Sequence, residues 1–149
     1  MSGSGTAASK DVANNIAMSN NGNLALVDGS GLASNYSLNS TIINITTKNV
    51  DLSGTKTYDA NTTLDNSIVS VSSGLVGLET LTLTGEVNTN NTNAGSYSAS
   101  GGTLNNATTT IALANGSNGG LAANYAINDG AFTITQKAIS LSLSLIHIS

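Results

Sequence analysis

Cysteine, proline, tryptophan and arginine are all missing from the 149 residues of this chain. Without cysteine there is no disulfide framework and no thiolate metal site, which excludes the small disulfide-stapled scaffold. Without arginine, and with four lysines against eight carboxylates, no basic cluster can neutralise a run of phosphates, so nucleic acid is excluded as a partner. Charged residues make up 8% of the chain against about 25% in an ordinary soluble domain, a poor match to a cytosolic enzyme surface. No stretch approaches 18 consecutive apolar residues, so no membrane insertion is expected, and no leader pattern opens the chain. An exported protein of this sequence would therefore be a piece of a longer chain. Phenylalanine occurs once, leaving a core of leucine, isoleucine and valine.

What is present is small and polar. Asparagine, serine, threonine and glycine fill about half of the positions, and they are arranged in a repeat. Gly31-Leu32-Ala33-Ser34-Asn35-Tyr36 recurs as Gly120-Leu121-Ala122-Ala123-Asn124-Tyr125, and at the same offset Ile45, Thr46, Lys48 and Val50 map onto Ile134, Thr135, Lys137 and Ile139. Just upstream, Ala25-Leu26 and Gly29-Ser30 match Ala112-Leu113 and Gly116-Ser117 at an offset two residues shorter, so the second copy carries two extra residues, which assigns Asn118-Gly119 to a turn insertion. The organisation is then the last part of one repeat over 1–47, a complete module over 48–136, and over 137–149 the start of a next repeat whose end diverges from the pattern.

Short runs with period-two alternation predict an all-β fold. They include Ile42 to Ile45, Val50 and Leu52, Val69 and Val71, Leu81 and Leu83, Ile111 and Leu113, Phe132 and Ile134, and Ile139 to Leu143. Asn21-Gly22, Asp28-Gly29, Asn115-Gly116 and Asp129-Gly130 are expected as tight turns. One helical turn is conceivable over Ser73 to Glu79. The expected architecture is a set of tandem modules resembling antiparallel β-sandwiches; a β-solenoid is the alternative, disfavoured because no short internal period accompanies the long one.

The run Lys56-Thr57-Tyr58-Asp59-Ala60-Asn61-Thr62-Thr63 resembles the motif of the YDG domain, a repeated module of bacterial surface exoproteins similar to filamentous haemagglutinin. Gly77 to Leu83, Asn93 to Tyr97 and Leu121 to Tyr125 followed by Ile134 to Lys137 agree in order and spacing. The resemblance implies an extracellular structural stalk at the bacterial cell surface. Its partners would be the neighbouring repeats of the same chain, with host or biofilm glycans and proteins bound by other regions. It implies motif residues Lys56, Tyr58, Asp59, Thr62, Thr63, Asn124, Tyr125 and Lys137 in structural roles. Two positions depart from it: Ala60-Asn61 stands where glycine follows Tyr-Asp, with Asn61 expected to take up the left-handed conformation. Thr47 and Gln136 replace a proline before the closing lysine, which implies less rigid junctions.

The inventory for chemistry is short. A single His147 lies in the divergent end, and the carboxylates show no calcium-loop spacing. The expectation is no catalytic residue, no metal and no cofactor. Asp59 reads as an Asx-turn former. The four tyrosines read as anchors with buried rings and wet hydroxyls. The competing reading gives the module its own ligand, a glycan, with Tyr36 and Tyr97 as stacking contacts.

Overall fold

The computed structural model describes residues 1–20, 22–39, 42–100, 103–104 and 107–143. In chain order the strands are β1 (Thr6–Ala7), β2 (Ala13–Asn20), β3 (Ile42–Ile45), β4 (Lys48–Thr57), β5 (Thr63–Asp65), β6 (Val69–Ser73), β7 (Leu81–Thr84), β8 (Glu86–Thr89), β9 (Gly95–Ser100), β10 (Thr103–Leu104), β11 (Ala107–Thr109), β12 (Ala112–Asn115) and β13 (Tyr125–Thr135). Helix is confined to single 3-10 turns at Ala33–Asn35 and Ala122–Asn124. The all-β expectation holds, and the strands of the described residues form several sheets, neither a closed barrel nor stacked rungs.

The central sheet has the order β10-β9-β13-β4-β6; β11-β8-β5 and β12-β7 are smaller sheets of the same module, and β1-β2-β3 precedes them. Alternation drives the packing. Along β4 the residues Val50, Leu52, Gly54 and Lys56 are buried and their neighbours are not, and β13 likewise buries Phe132 and Ile134 while Ala131, Thr133 and Thr135 face outward. Leu52, Val69 and Phe132 of the central sheet meet Leu64, Leu83 and Val87 of the smaller sheets, and Ile111 of the link between β11 and β12, in one core. Phe132, the largest member, is 2% exposed.

One pairing departs from the antiparallel rule. The first and last strands of the module, β4 and β13, lie side by side and parallel, with Tyr125 opposite Lys48 and Thr135 opposite Thr57. Parallel strands cannot be joined by a hairpin; here the whole module is the crossover between them. The chain consequently enters the module at one end and leaves at the other.

Two local expectations fail. Asp129-Gly130 does not turn the chain; it lies inside β13, where the register against β4 slips between Ile127 and Gly130. A bulge absorbs the glycine that a hairpin reading assigned to a turn. Residues 73 to 79 hold no helix: Gly77 takes a φ of 57° and the Glu79 amide donates to the Val76 carbonyl, a tight turn before β7. Asn118 and Gly119, with φ of 56° and 85°, do form the inserted turn.

The opening residues repeat the second half of the module further than residue identities reveal. Gly3 and Gly85 both have positive φ, and an added Cβ would strike a facing carbonyl, 2.1 Å from that of Asn23 and 2.3 Å from that of Thr110. The Ser4 amide donates to Asn23 Oδ1 as that of Glu86 donates to Thr110 Oγ1. Ser2 bridges Ala25 as Thr84 pairs with Ala112, and Ala13 faces Ile45 as Gly95 faces Ile134. The described residues before β4 thus share these local features with the second half of the module.

Candidate functional site at the repeat junction

Two polar clusters hold the ion pairs Lys56–Asp59 and Lys10–Glu79. The first is built by the Lys56-to-Thr63 motif. Lys56 occupies an inward position of β4, and its side chain is 5% exposed. Its three N–H groups all find acceptors: Asp59 Oδ1 at 2.8 Å, the Asn61 carbonyl at 2.6 Å and the Thr63 carbonyl at 3.0 Å. An ammonium cannot be buried without such partners. The Lys56 ammonium, with the Asn61 amide second, holds the Asp59 carboxyl below its usual range.

Asp59 Oδ1 also accepts from the Asn61 amide at 3.0 Å, and Asn61 Oδ1 accepts from the Thr63 amide at 3.0 Å, two successive Asx turns. The left-handed residue is Ala60, φ 64°, and not Asn61. Asn61 spends its side chain on the second turn, so the backbone strain falls on its neighbour. Thr63 Oγ1 donates to Asn88 Oδ1 at 2.8 Å, and the Thr62 carbonyl accepts from both the amide and the hydroxyl of Thr89. The motif therefore ties β4, β5 and β8 into one corner. Tyr58 anchors through its backbone, donating its amide to Thr135; its side chain is 38% exposed, against the expectation of a buried ring.

The second cluster lies where one repeat meets the next. β3 runs into β4 through Thr46 and Thr47 alone, without proline. Beside that link, the loop before β2 reaches across to the closing turn of the complete module. The Val12 amide donates to Asn124 Oδ1, and Asn124 Nδ2 donates to Asp11 Oδ1, each at 2.9 Å. Lys10 Nζ pairs with Glu79 Oε1 at 2.9 Å, and the Tyr125 hydroxyl donates to Glu79 Oε2 at 2.6 Å while accepting from the Val76 amide at 3.2 Å. Tyr125 is 6% exposed. The Tyr125 hydroxyl and then the Lys10 ammonium hold the Glu79 carboxyl below its usual range, and Glu79 in turn pushes the Tyr125 phenol up.

The sequence marks Asn124 and Tyr125 as motif residues and places Glu79 inside the Gly77-to-Leu83 run, but it passes over Lys10, Asp11 and Val12. The loop was findable in principle. Ser9 Oγ accepts from the Asp11 amide as Asn91 Oδ1 accepts from the Asn93 amide. Ser9 and Asn91 are different residues performing one turn, so a search for identities passes over them.

Tyr36 is 70% exposed, so its ring is not a buried anchor. Tyr97 packs against the core and donates its hydroxyl to the Asn93 carbonyl at 2.6 Å. Its ring is therefore not a free stacking face. Lys137 follows β13 and is exposed. His147 lies outside the described residues. Among the described residues no three His, Asp or Glu side chains gather as a metal site would require, and no helix is long and apolar enough to cross a membrane. Comparison with family models, with curated proteins and with solved structures finds no match.

Proposed function

We propose that the chain is a structural spacer of a secreted bacterial adhesin, a stalk segment that holds a distal binding region away from the cell surface. The observation that carries this reading is the parallel pairing of β4 with β13. It puts chain entry and exit at opposite ends, so each module adds length: an eleven-residue β13 corresponds to about 36 Å. Tandem repeats of that kind interact mainly with their neighbours, and the link between β3 and β4 is of that kind. A two-residue connection reinforced by the contacts to Asn124 and Glu79 behaves as a stiff joint and not as a flexible tether.

The buried members of both polar clusters are held by partners within the chain. Lys56 has all three donors satisfied, and both carboxylate oxygens of Glu79 face a partner within the chain, which supports structural roles for these two residues. The reading therefore has no catalytic step, and host or biofilm ligands belong to other regions of the exported protein.

The test is a binding comparison. The purified chain is applied to host cells and to a glycan array beside the tip region of the parent protein. Absence of saturable binding by the chain, together with a stalk shortened by about one module length when 48–136 is deleted, supports the spacer. Saturable binding lost in Tyr36→Ala would replace it with the ligand-binding reading.

A further inference from the structure

An asparagine followed by glycine carries its own nucleophile. The next backbone nitrogen lies within reach of the side-chain carboxamide, and glycine, without a Cβ, leaves that nitrogen uncrowded. Such dipeptides occur here as Asn21-Gly22, Asn115-Gly116 and Asn118-Gly119. Asn21 lies outside the described residues. The other two stand side by side in opposite situations. Asn115 closes β12, its Oδ1 accepts from the Ala122 amide at 2.8 Å, and the Gly116 amide donates to the Gly120 carbonyl at 3.0 Å. Carboxamide and nitrogen are both engaged. Asn118 and Gly119 form the exposed centre of the turn that the Gly120 amide closes on the Ser117 carbonyl, with φ of 56° and 85°. The Gly119 amide donates to no acceptor among the described residues. The carboxamide of Asn118 makes one contact, from Nδ2 to the carbonyl of the exposed Leu78 at 2.9 Å, a bond whose loss costs little.

We propose that Asn118 is a self-modification site of the folded chain, at which the Gly119 nitrogen closes on Asn118 Cγ and turns the asparagine into aspartate and isoaspartate. In the first step the new bond joins that nitrogen to Cγ, the bond from Cγ to Nδ2 breaks, and the proton of the Gly119 amide leaves with Nδ2 as ammonia. The product is a cyclic imide. In the second step water opens the ring, its hydroxyl going to one carbonyl carbon and its proton to the nitrogen. Opening at Cγ gives aspartate, and opening at the backbone carbonyl gives isoaspartate, with the main chain rerouted through the side chain. Nothing is oxidised or reduced, and water is the only co-reactant.

The position gives the reaction a consequence. A Cβ added at Gly119 would lie 3.3 Å from Lys10 Nζ and 3.9 Å from Glu79 Oε1, so the new carboxylate arises beside the ion pair of the repeat junction. The donor to Leu78 is lost in the same step. The turn over Gly29 to Tyr36 lacks the two inserted residues and therefore lacks the site. The mark is confined to junctions whose closing turn carries the insertion, and it accumulates with the age of the molecule without an enzyme.

The test follows the full chain over time at neutral pH and physiological temperature, in buffer and in guanidinium, with its peptides sequenced by mass spectrometry. In the folded chain the gain of about 1 Da is expected at Asn118 at least tenfold faster than at Asn115, which must wait for local opening at the end of β12. In guanidinium the two rates converge. Asn118→Gly keeps the turn conformation without the carboxamide, and it abolishes the early acidic product on anion exchange. Equal rates at the two asparagines of the folded chain overturn the proposal. So does an Asn118 that converts in guanidinium but stays intact in buffer, because the turn would then protect it. A product holding aspartate without isoaspartate overturns it as well, since direct hydrolysis would have replaced ring closure.

Discussion

The closing turn occurs twice in this molecule, and the two copies share a backbone while differing in almost everything around it. Leu32 and Leu121 open their 3-10 turns at φ/ψ of −77°/124° and −104°/123°, and Tyr36 and Tyr125 close them at −132°/151° and −129°/153°. Asp28 Oδ1 accepts from the Ala33 amide at 2.6 Å, and Asn115 Oδ1 accepts from the Ala122 amide at 2.8 Å. Yet Tyr36 is 70% exposed and Tyr125 is 6% exposed. The strand after the first copy runs four residues, the one after the second eleven. The turn is thus local property, written in Gly-Leu-Ala-x-Asn-Tyr and one capping carboxylate or amide. Burial and strand length come from neighbours: β4, β9, Glu79 and the loop of the preceding repeat.

If that division is right, matched substitutions in the two copies must have unequal effects. The largest difference belongs to tyrosine. Tyr125→Ala removes a buried aromatic and leaves Glu79 and the Val76 amide without its hydroxyl, for a loss of about 3 kcal/mol or more, whereas Tyr36→Ala costs under about 0.5 kcal/mol. Urea unfolding of the two variants makes the comparison, and equal losses would show that Tyr36 is buried in solution. The glycines that open the turns come next. An added Cβ at Gly120 lies 1.9 Å from the Thr80 carbonyl, while at Gly31 nothing is nearer than the Tyr36 ring at 3.9 Å. Gly120→Ala is expected to cost about 2 kcal/mol through the forced shift, and Gly31→Ala to be neutral or stabilising by about 0.5 kcal/mol, because it only restricts the unfolded chain.

The same division explains what the residues disclosed in advance. Strand class was legible because Val50, Leu52, Phe132 and Ile134 alternate with polar neighbours. The repeat was legible where identities persist, from Gly29 to Val50 against Gly116 to Ile139. It was illegible upstream, where Gly3 and Gly85 alone carry the match and Ser9 substitutes for Asn91. Asp129-Gly130 misled because a dipeptide that permits a hairpin also permits a bulge, and only the partner strand decides between them. The parallel placement of β4 against β13 leaves no mark in either strand's pattern. Its site consequence, the burial of Lys56, was equally hidden, since a lysine in a β pattern is ordinarily a solvated edge charge.

A smaller effect isolates the junction itself. Asn124 donates to Asp11 and accepts from Val12, and Asn124→Ala is expected to cost about 1 to 2 kcal/mol, against no measurable change for Asn35→Ala. Limited proteolysis sharpens this reading. Cleavage after Lys10 should accelerate in Asn124→Ala, because the loop that this lysine occupies is released, and should be unchanged in Asn35→Ala.

The subtlest asymmetry is in pH. Glu79 titrates below its ordinary value of 4.5 because the Tyr125 hydroxyl and the Lys10 ammonium favour its charged form. A carboxyl depressed in the folded state contributes stability that is present above the unfolded value and is lost as pH falls through the folded one. Tyr125 shifts the opposite way, raised above 10.0 chiefly by its hydrogen bond to Glu79. Its contribution is present below the unfolded value and is lost as pH rises through the folded one. The junction is accordingly tightest between these limits and loosens first at its acid edge, within the ordinary carboxylate range and below. The chemical shift of the Val12 amide, which reports the bond to Asn124, should follow both limbs. Glu79→Gln should flatten the acid limb and Tyr125→Phe the alkaline one, each leaving the other visible. An acid limb that persists in Glu79→Gln would detach Glu79 and its tyrosine partner from the joint.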